Sequence, residues 1–101
     1  MLEIRPNCEL CDCDLPATAN AMICSYECTY CADCARGVLK NVCPTCGGGF
    51  TPRPIRPVRT WRKGLGLEAH PASKKRVHTK FSTEEIAAHV ARICDIAPED
   101  R

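Results

Sequence analysis

Nine cysteines fall between residues 8 and 46, and eight of them form close pairs: Cys8-x2-Cys11, Cys24-x3-Cys28, Cys31-x2-Cys34 and Cys43-x2-Cys46. Such spacing lets one tight turn present two thiolates to a single ion. Four pairs supply eight sulfurs, which fill two tetrahedral sites with no open coordination position, the pattern of structural rather than catalytic zinc. The turn Cys43-Pro44-Thr45-Cys46-Gly47 is favoured by its Pro and Gly. Little else in the chain offers an alternative way to hold a fold. Only 19 of 101 residues are Leu, Ile, Val or Phe, and the 45% hydrophobic fraction is raised by 10 Cys and 11 Ala. That is near the level at which burial fails to offset the entropy of ordering, so something metallic or covalent has to support the structure.

The choice between metal and disulfide follows from the expected compartment. Met1-Leu2-Glu3-Ile4-Arg5-Pro6 has no basic stretch leading into an apolar run, and no segment approaches the roughly 18 apolar residues of a membrane span. A cytoplasmic location and no membrane partner are expected, and in a reducing cytosol dense cysteines bind metal. Cys28-x2-Cys31-x2-Cys34 followed by Cys43-Pro44 has some likeness to a ferredoxin run, but that run needs x3 before its last Cys-Pro and here x8 intervenes. Two zinc ions are therefore the expected cofactors.

Two pairings of the eight ligands are open. Sequential filling joins Cys8, Cys11, Cys24 and Cys28, leaving Cys31, Cys34, Cys43 and Cys46. Interleaved filling joins Cys8, Cys11, Cys31 and Cys34 at one ion and Cys24, Cys28, Cys43 and Cys46 at the other. The short step from Cys28 to Cys31 favours the interleaved cross-brace, because it carries the chain directly from one site to the other. Cys13 and Cys94 are left over. Cys13 reads as an incidental thiol, with a redox sensor or a substitute for Cys11 as the functional alternatives; Cys94 packs on the apolar face of a terminal helix.

Charge divides the chain into an expected module over 1–50, a Pro/Arg-rich arm over 51–80 and a helix over 81–97. Residues 1–50 carry −3, residues 51–80 carry +8 and residues 81–101 carry −3, for a net +2. Eight thiolates with two Zn²⁺ add −4, taking the module to about −7. The basic arm thus either meets an external anion or folds back on its own module. Pro52, Pro54 and Pro57 favour polyproline II, in which Arg53, Arg56, Arg59 and Arg62 line one edge as a phosphate-binding ridge with Trp61 available to stack on a base.

Within the module, Leu2 and Ile4 alternate with charged neighbours as in a short strand, and Met22-Ile23 and Tyr26 to Tyr30 suit a hairpin. Residues 33–40 suit a short helix, and Leu10, Ile23, Tyr30, Val38 and Leu39 suit a miniature core. Further on, Ser82-x-x-Glu85 is a capping box, Phe81 can staple onto Ile86, and Ile86, Val90, Ile93 and Cys94 share a helical face that Pro98 ends. His70, His78 and His89 have no ligand-pair spacing and read as ordinary surface or helix residues.

At Cys8-Glu9-Leu10-Cys11, Cys28-Thr29-Tyr30-Cys31-Ala32-Asp33-Cys34 and Cys43-Pro44-Thr45-Cys46 the chain resembles a RING finger in ligand order and spacing, although most RING fingers have His where Cys28 stands. The resemblance implies a small metal-stabilised α+β fold, a RING-like cross-brace or treble-clef zinc finger, with Leu10 and Pro44 at positions that RING fingers use to contact a ubiquitin-conjugating enzyme. A further resemblance, carried by Leu2-Glu3-Ile4-Arg5-Pro6-Asn7-Cys8, Ile23-Cys24-Ser25-Tyr26-Glu27-Cys28, Cys43-Pro44-Thr45-Cys46-Gly47-Gly48, Arg53-Pro54-Ile55-Arg56-Pro57 and His70-Pro71-Ala72-Ser73, is to an uncharacterised bacterial cysteine-rich family, the domain of unknown function numbered 1272. It implies a bacterial cytosolic zinc-binding protein, with Cys13 outside the ligand set.

No Ser/His/Asp or Cys/His constellation, carboxylate pair or phosphate loop is present, since Gly47-Gly48-Gly49 lacks the Lys and helix such a loop requires. A non-catalytic zinc module presenting a protein-binding surface is expected. Nucleic-acid binding through the arm and a thiol redox sensor are the alternatives.

Overall fold

The computed structural model describes residues 1–101. Three short strands, β1 (Ala21–Ile23), β2 (Thr29–Cys31) and β3 (Thr51–Pro52), form an antiparallel sheet in the order β2-β1-β3. β1 and β2 make the expected hairpin, with Met22 opposite Tyr30. The helix α1 (Ala32–Arg36) follows β2 at once and stops at Gly37, earlier than Lys40, because glycine interrupts the run. The helix α2 (Thr83–Ile93) begins in the expected capping box, with Ser82 and Glu85 each accepting the other's backbone N–H. A short 3-10 turn covers Pro98–Asp100.

One cluster of 14 buried residues unites these elements, and five of its members are cysteines or the neighbouring Tyr30. Tyr30, Leu39 and Val42 are almost completely enclosed, and the Tyr30 ring meets Phe50 edge-on at 5.2 Å. The core differs from the expected one: Val38 is 59% exposed, and Met22, Leu15 and Phe50 take up the interior. Ile86 and Val90 bring α2 onto the same core. No helix is long and apolar enough to cross a membrane.

Two expectations fail here. Leu2–Arg5 is no strand; Ile4 sits at φ +57°, fully buried, so the alternation with charged neighbours reflects an irregular turn. Nor do the arginines of the arm form a ridge. Arg53 is buried, and its guanidinium donates to the carbonyls of Arg5 and Pro16 at 2.9 and 3.0 Å. Arg56 likewise donates to the carbonyls of His70 and Leu2. Backbone carbonyls of the irregular N-terminal segment need donors once buried, and these two arginines supply them. Only Arg59 and Arg62 of the four remain exposed.

Residues 73–79 run back along the start of the chain as a strap. Ser73 N–H donates to the carbonyls of Glu3 and Ile4, and Thr79 N–H to that of Glu9 at 2.7 Å. Between them the buried Asn7 side chain donates to the Val77 carbonyl at 2.8 Å and accepts from the Val77 N–H. The basic stretch is therefore partly folded back on the acidic module.

Candidate metal centres

The thiols gather in two groups. The sulfurs of Cys8, Cys11, Cys13 and Cys31 all lie within 4.8 Å of one another, as do those of Cys24, Cys28 and Cys43. The first and third pairs thus contribute to one group and the second and fourth to the other. Cys34 stands beside the first group, its backbone N–H on Cys31 Sγ at 3.4 Å, outside the mutually close set. Cys46 is exposed and lies outside the mutually close set of the second. Cys13, left over in the four-ligand pattern, is brought among the sulfurs of the first group.

Each pair is held by the same local device. A backbone N–H points at one of its sulfurs: Cys11 N–H at Cys8 Sγ (3.5 Å), Tyr26 N–H at Cys24 Sγ (3.3 Å), Cys34 N–H at Cys31 Sγ (3.4 Å) and Gly48 N–H at Cys46 Sγ (3.4 Å). Such donors favour the thiolate and orient it for a metal. The tight turns need left-handed backbone at Asp12 (φ +64°), Glu27 (φ +67°) and Gly47 (φ +80°). For the non-glycine residues this costs about 1–3 kcal/mol each. Local bonds offset it. Glu27 accepts the Glu3 N–H at 2.9 Å, and Asp12 accepts from both Asn7 and Arg76. At Gly47 it is this left-handed backbone, rather than space, that asks for glycine, since a Cβ would meet Ile93 of α2 at an ordinary 3.4 Å.

The electrostatics concentrate charge on one thiol of each group. The Cys13 N–H, followed by neighbouring thiols, draws Cys11 down to about 7. A hydrogen bond from Cys43 draws Cys28 down to about 6. Their neighbours move the other way: burial pushes Cys24 up to about 11 and raises Cys8 and Cys34, while hydrogen bonding to Cys11 pushes Cys13 up to about 12. Several thiolates at such distances repel one another, and a divalent cation removes that repulsion. An all-sulfur donor set of this spacing, with donors already aimed at the sulfurs, fits a tetrahedral metal ion.

The two sites are embedded differently. Around the first, Glu9 is buried with its carboxylate between Arg5 (2.8 Å) and the Thr29 N–H, joining the Cys8–Cys11 turn to β2. Arg76 of the strap bridges Asp12 and Asp14, which flank Cys13, at 3.0 and 2.6 Å. Around the second, His89 of α2 bonds the Cys43 carbonyl at 3.0 Å, and Arg101 donates to the carbonyls of Asn41 and Gly47. His89 is thus a buttress of this turn, a role that ligand spacing does not reveal. Asn7, Glu9 and Arg76 were equally silent in the sequence, whereas the Cys11-x-Cys13 spacing was a signal available there.

The model of the family described as a protein of unknown function (DUF1272) matches residues 1–56. The chain belongs to this family. It is also similar to an uncharacterized protein of Rhizobium meliloti (strain 1021), with 50% identity over 78 residues, covering 76% of this chain and 86% of that one. No solved structure matches it.

Proposed function

We propose that this member of the DUF1272 family is a non-catalytic zinc module, in which two structural Zn²⁺ ions in an interleaved, RING-like cross-brace support a surface for a protein partner. The observation that carries the reading is the division of the thiols into two groups, Cys8, Cys11 and Cys31 with Cys13 in one and Cys24, Cys28 and Cys43 in the other. In this reading Cys34 joins Cys8, Cys11 and Cys31 at one ion, and Cys46 joins Cys24, Cys28 and Cys43 at the other. Zinc is favoured over a hard cation because every donor is sulfur. Native mass spectrometry with elemental analysis tests it: two zinc ions per chain are expected, and iron, or no metal, overturns it.

The partner surface differs from that of a RING finger. Leu10 and Pro44 line grooves walled by α2, the first of about 640 Å³, so the chain's own helix stands where a RING partner would bind. The open apolar surface lies instead at Ile55, Val58, Trp61 and Leu65, all more than half exposed and interspersed with Arg59, Arg62 and Lys63. Its chemistry suits an apolar segment flanked by acidic residues. Trp61→Ala with Arg59→Glu is expected to abolish capture of such a partner while leaving the zinc content at two.

A second reading is favoured by Trp61, which is 76% exposed and, with Arg59 and Arg62, walls a cavity of about 450 Å³. A base stacked on the indole with phosphates on the arginines would make this a single-strand nucleic-acid site. Because Arg53 and Arg56 are committed to carbonyls, the salt dependence would be shallow. The three free cations around Trp61, namely Arg59, Arg62 and Lys63, give a slope of log affinity against log salt of about −2 to −3. Titration of labelled oligonucleotides across a salt series separates the two readings.

A further inference from the structure

Five sulfurs surround the first site, and a tetrahedral zinc takes four. Cys8, Cys11, Cys13 and Cys31 are mutually within 4.8 Å, and Cys34 lies against them with its backbone N–H on Cys31 Sγ at 3.4 Å. Neither Cys13 nor Cys34 is placed by accident. The Cys13 carbonyl accepts the Cys8 N–H at 2.9 Å, so its loop closes onto the first ligand turn, and the Asn7–Asp14 bridge closes the same loop from outside. Arg76 then grips the residues on either side of Cys13. Cys34 sits in the first turn of α1, with its own N–H on Cys31 Sγ. The second site has no such surplus.

We infer that the first site is an exchange centre, resting on the zinc reading above, in which Cys13 and Cys34 alternate as the fourth ligand beside Cys8, Cys11 and Cys31. In one state Cys34 is the bound thiolate and Cys13 the free thiol; in the other the roles are reversed. Passing between them, Cys13 loses its proton as its sulfur–metal bond forms, Cys34 takes up a proton as its own bond breaks, and net charge is unchanged. The exposed Cys13 is the face through which an incoming acceptor thiolate reaches the ion, so the centre can hand zinc to another thiol-rich site while the buried second site keeps the fold. The expected recipient class is a soft-ligand zinc acceptor.

The test compares the zinc-loaded full chain with Cys13→Ser, Cys34→Ser and the double variant. Native mass spectrometry is expected to find two ions in the wild type and in each single variant, because either cysteine completes the site, and one ion in the double variant. Exchange of bound zinc against isotopically enriched zinc is expected to be biphasic in the wild type, with the fast phase slowed about tenfold or more in both single variants, the scale on which changes around a ligand set act. In Cys34→Ser, Cys13 is expected to become resistant to iodoacetamide while zinc is bound. A single ion in Cys34→Ser overturns the inference, as does a single ion in Cys13→Ser or a fast phase unchanged in both. Fewer than two ions in the wild type instead overturns the zinc reading itself, and this inference with it.

Discussion

The two thiol groups are built from the same turn yet are enclosed by different parts of the chain. The second is interior: Cys24, Cys28 and Cys43 are buried, α2 closes it through His89 and Ile93, and Arg101 beyond the helix bonds the Gly47 carbonyl. The first is half open: Cys11 and Cys13 are exposed, and its cover is the strap, joined through Asn7, Arg76 and backbone hydrogen bonds. The second cover joins apolar packing to its hydrogen bonds, whereas the first is made of polar ties. The difference teaches that ligand spacing sets where an ion sits, while the enclosing segment sets how readily it leaves.

The largest effect expected from breaking this arrangement is removal of both ions. Structural zinc contributes roughly 10–16 kcal/mol in small zinc domains, comparable with the whole stability of a domain. Stripping with a strong chelator should therefore abolish the cooperative thermal transition, and a transition surviving in metal-free protein would refute metal dependence. Next comes the core shared by the two sites. Tyr30→Ala should cost about 3–5 kcal/mol in urea unfolding of the zinc-loaded chain, since the ring is enclosed and packs on Phe50.

The comparison is sharpened by variants in each cover. Asn7→Ala leaves the Val77 amide and carbonyl without their partners and should cost about 1–3 kcal/mol, with zinc loss confined to the first site. His89→Ala should cost about 1 kcal/mol and loosen the second site instead. Equal loss from both sites in either variant would show that the covers do not act separately.

Acid should separate the sites as well. A thiol lowered by its surroundings favours the folded, ionised state above its ordinary value and loses that advantage as pH falls through its lowered one. Cys11 and Cys28 are both lowered, so protons compete for each as pH falls, and Cys11 is exposed whereas Cys28 is buried. The first site should thus release its ion at a higher pH than the second, read as two steps with a chromogenic zinc indicator. The smallest effect is expected for Arg76→Ala. Its ion pairs are exposed and screened, so the unfolding midpoint should scarcely move while first-site exchange quickens.

What was legible in the sequence was local. Cysteine pairs report turns, Ser82 and Glu85 report a helix start, and Met22 with Tyr30 reports a hairpin, because each signal lies within a few residues of its consequence. The misreadings concern contacts made across the chain. Arg53 looked like part of a free basic ridge because its acceptors, the carbonyls of Arg5 and Pro16, lie 48 and 37 residues away. Ile4 suggested a strand because alternation cannot reveal a left-handed turn. Cys13 looked superfluous because a four-ligand pattern was complete without it, and only the loop closing onto Cys8 brings it among the others.

The position of the covers along the chain also orders events during synthesis. The last metal-binding turn is finished at Gly47, but the Arg101 side chain that bonds its carbonyl is translated 54 residues later, and the Val77 that meets Asn7 follows it by 70. At about 5–20 residues per second, the nascent chain has roughly 3–11 seconds between making the second site and being able to cap it. Both thiol groups are therefore open near the ribosome, where a metal ion would reach them, and the strap and helix close over them only afterwards.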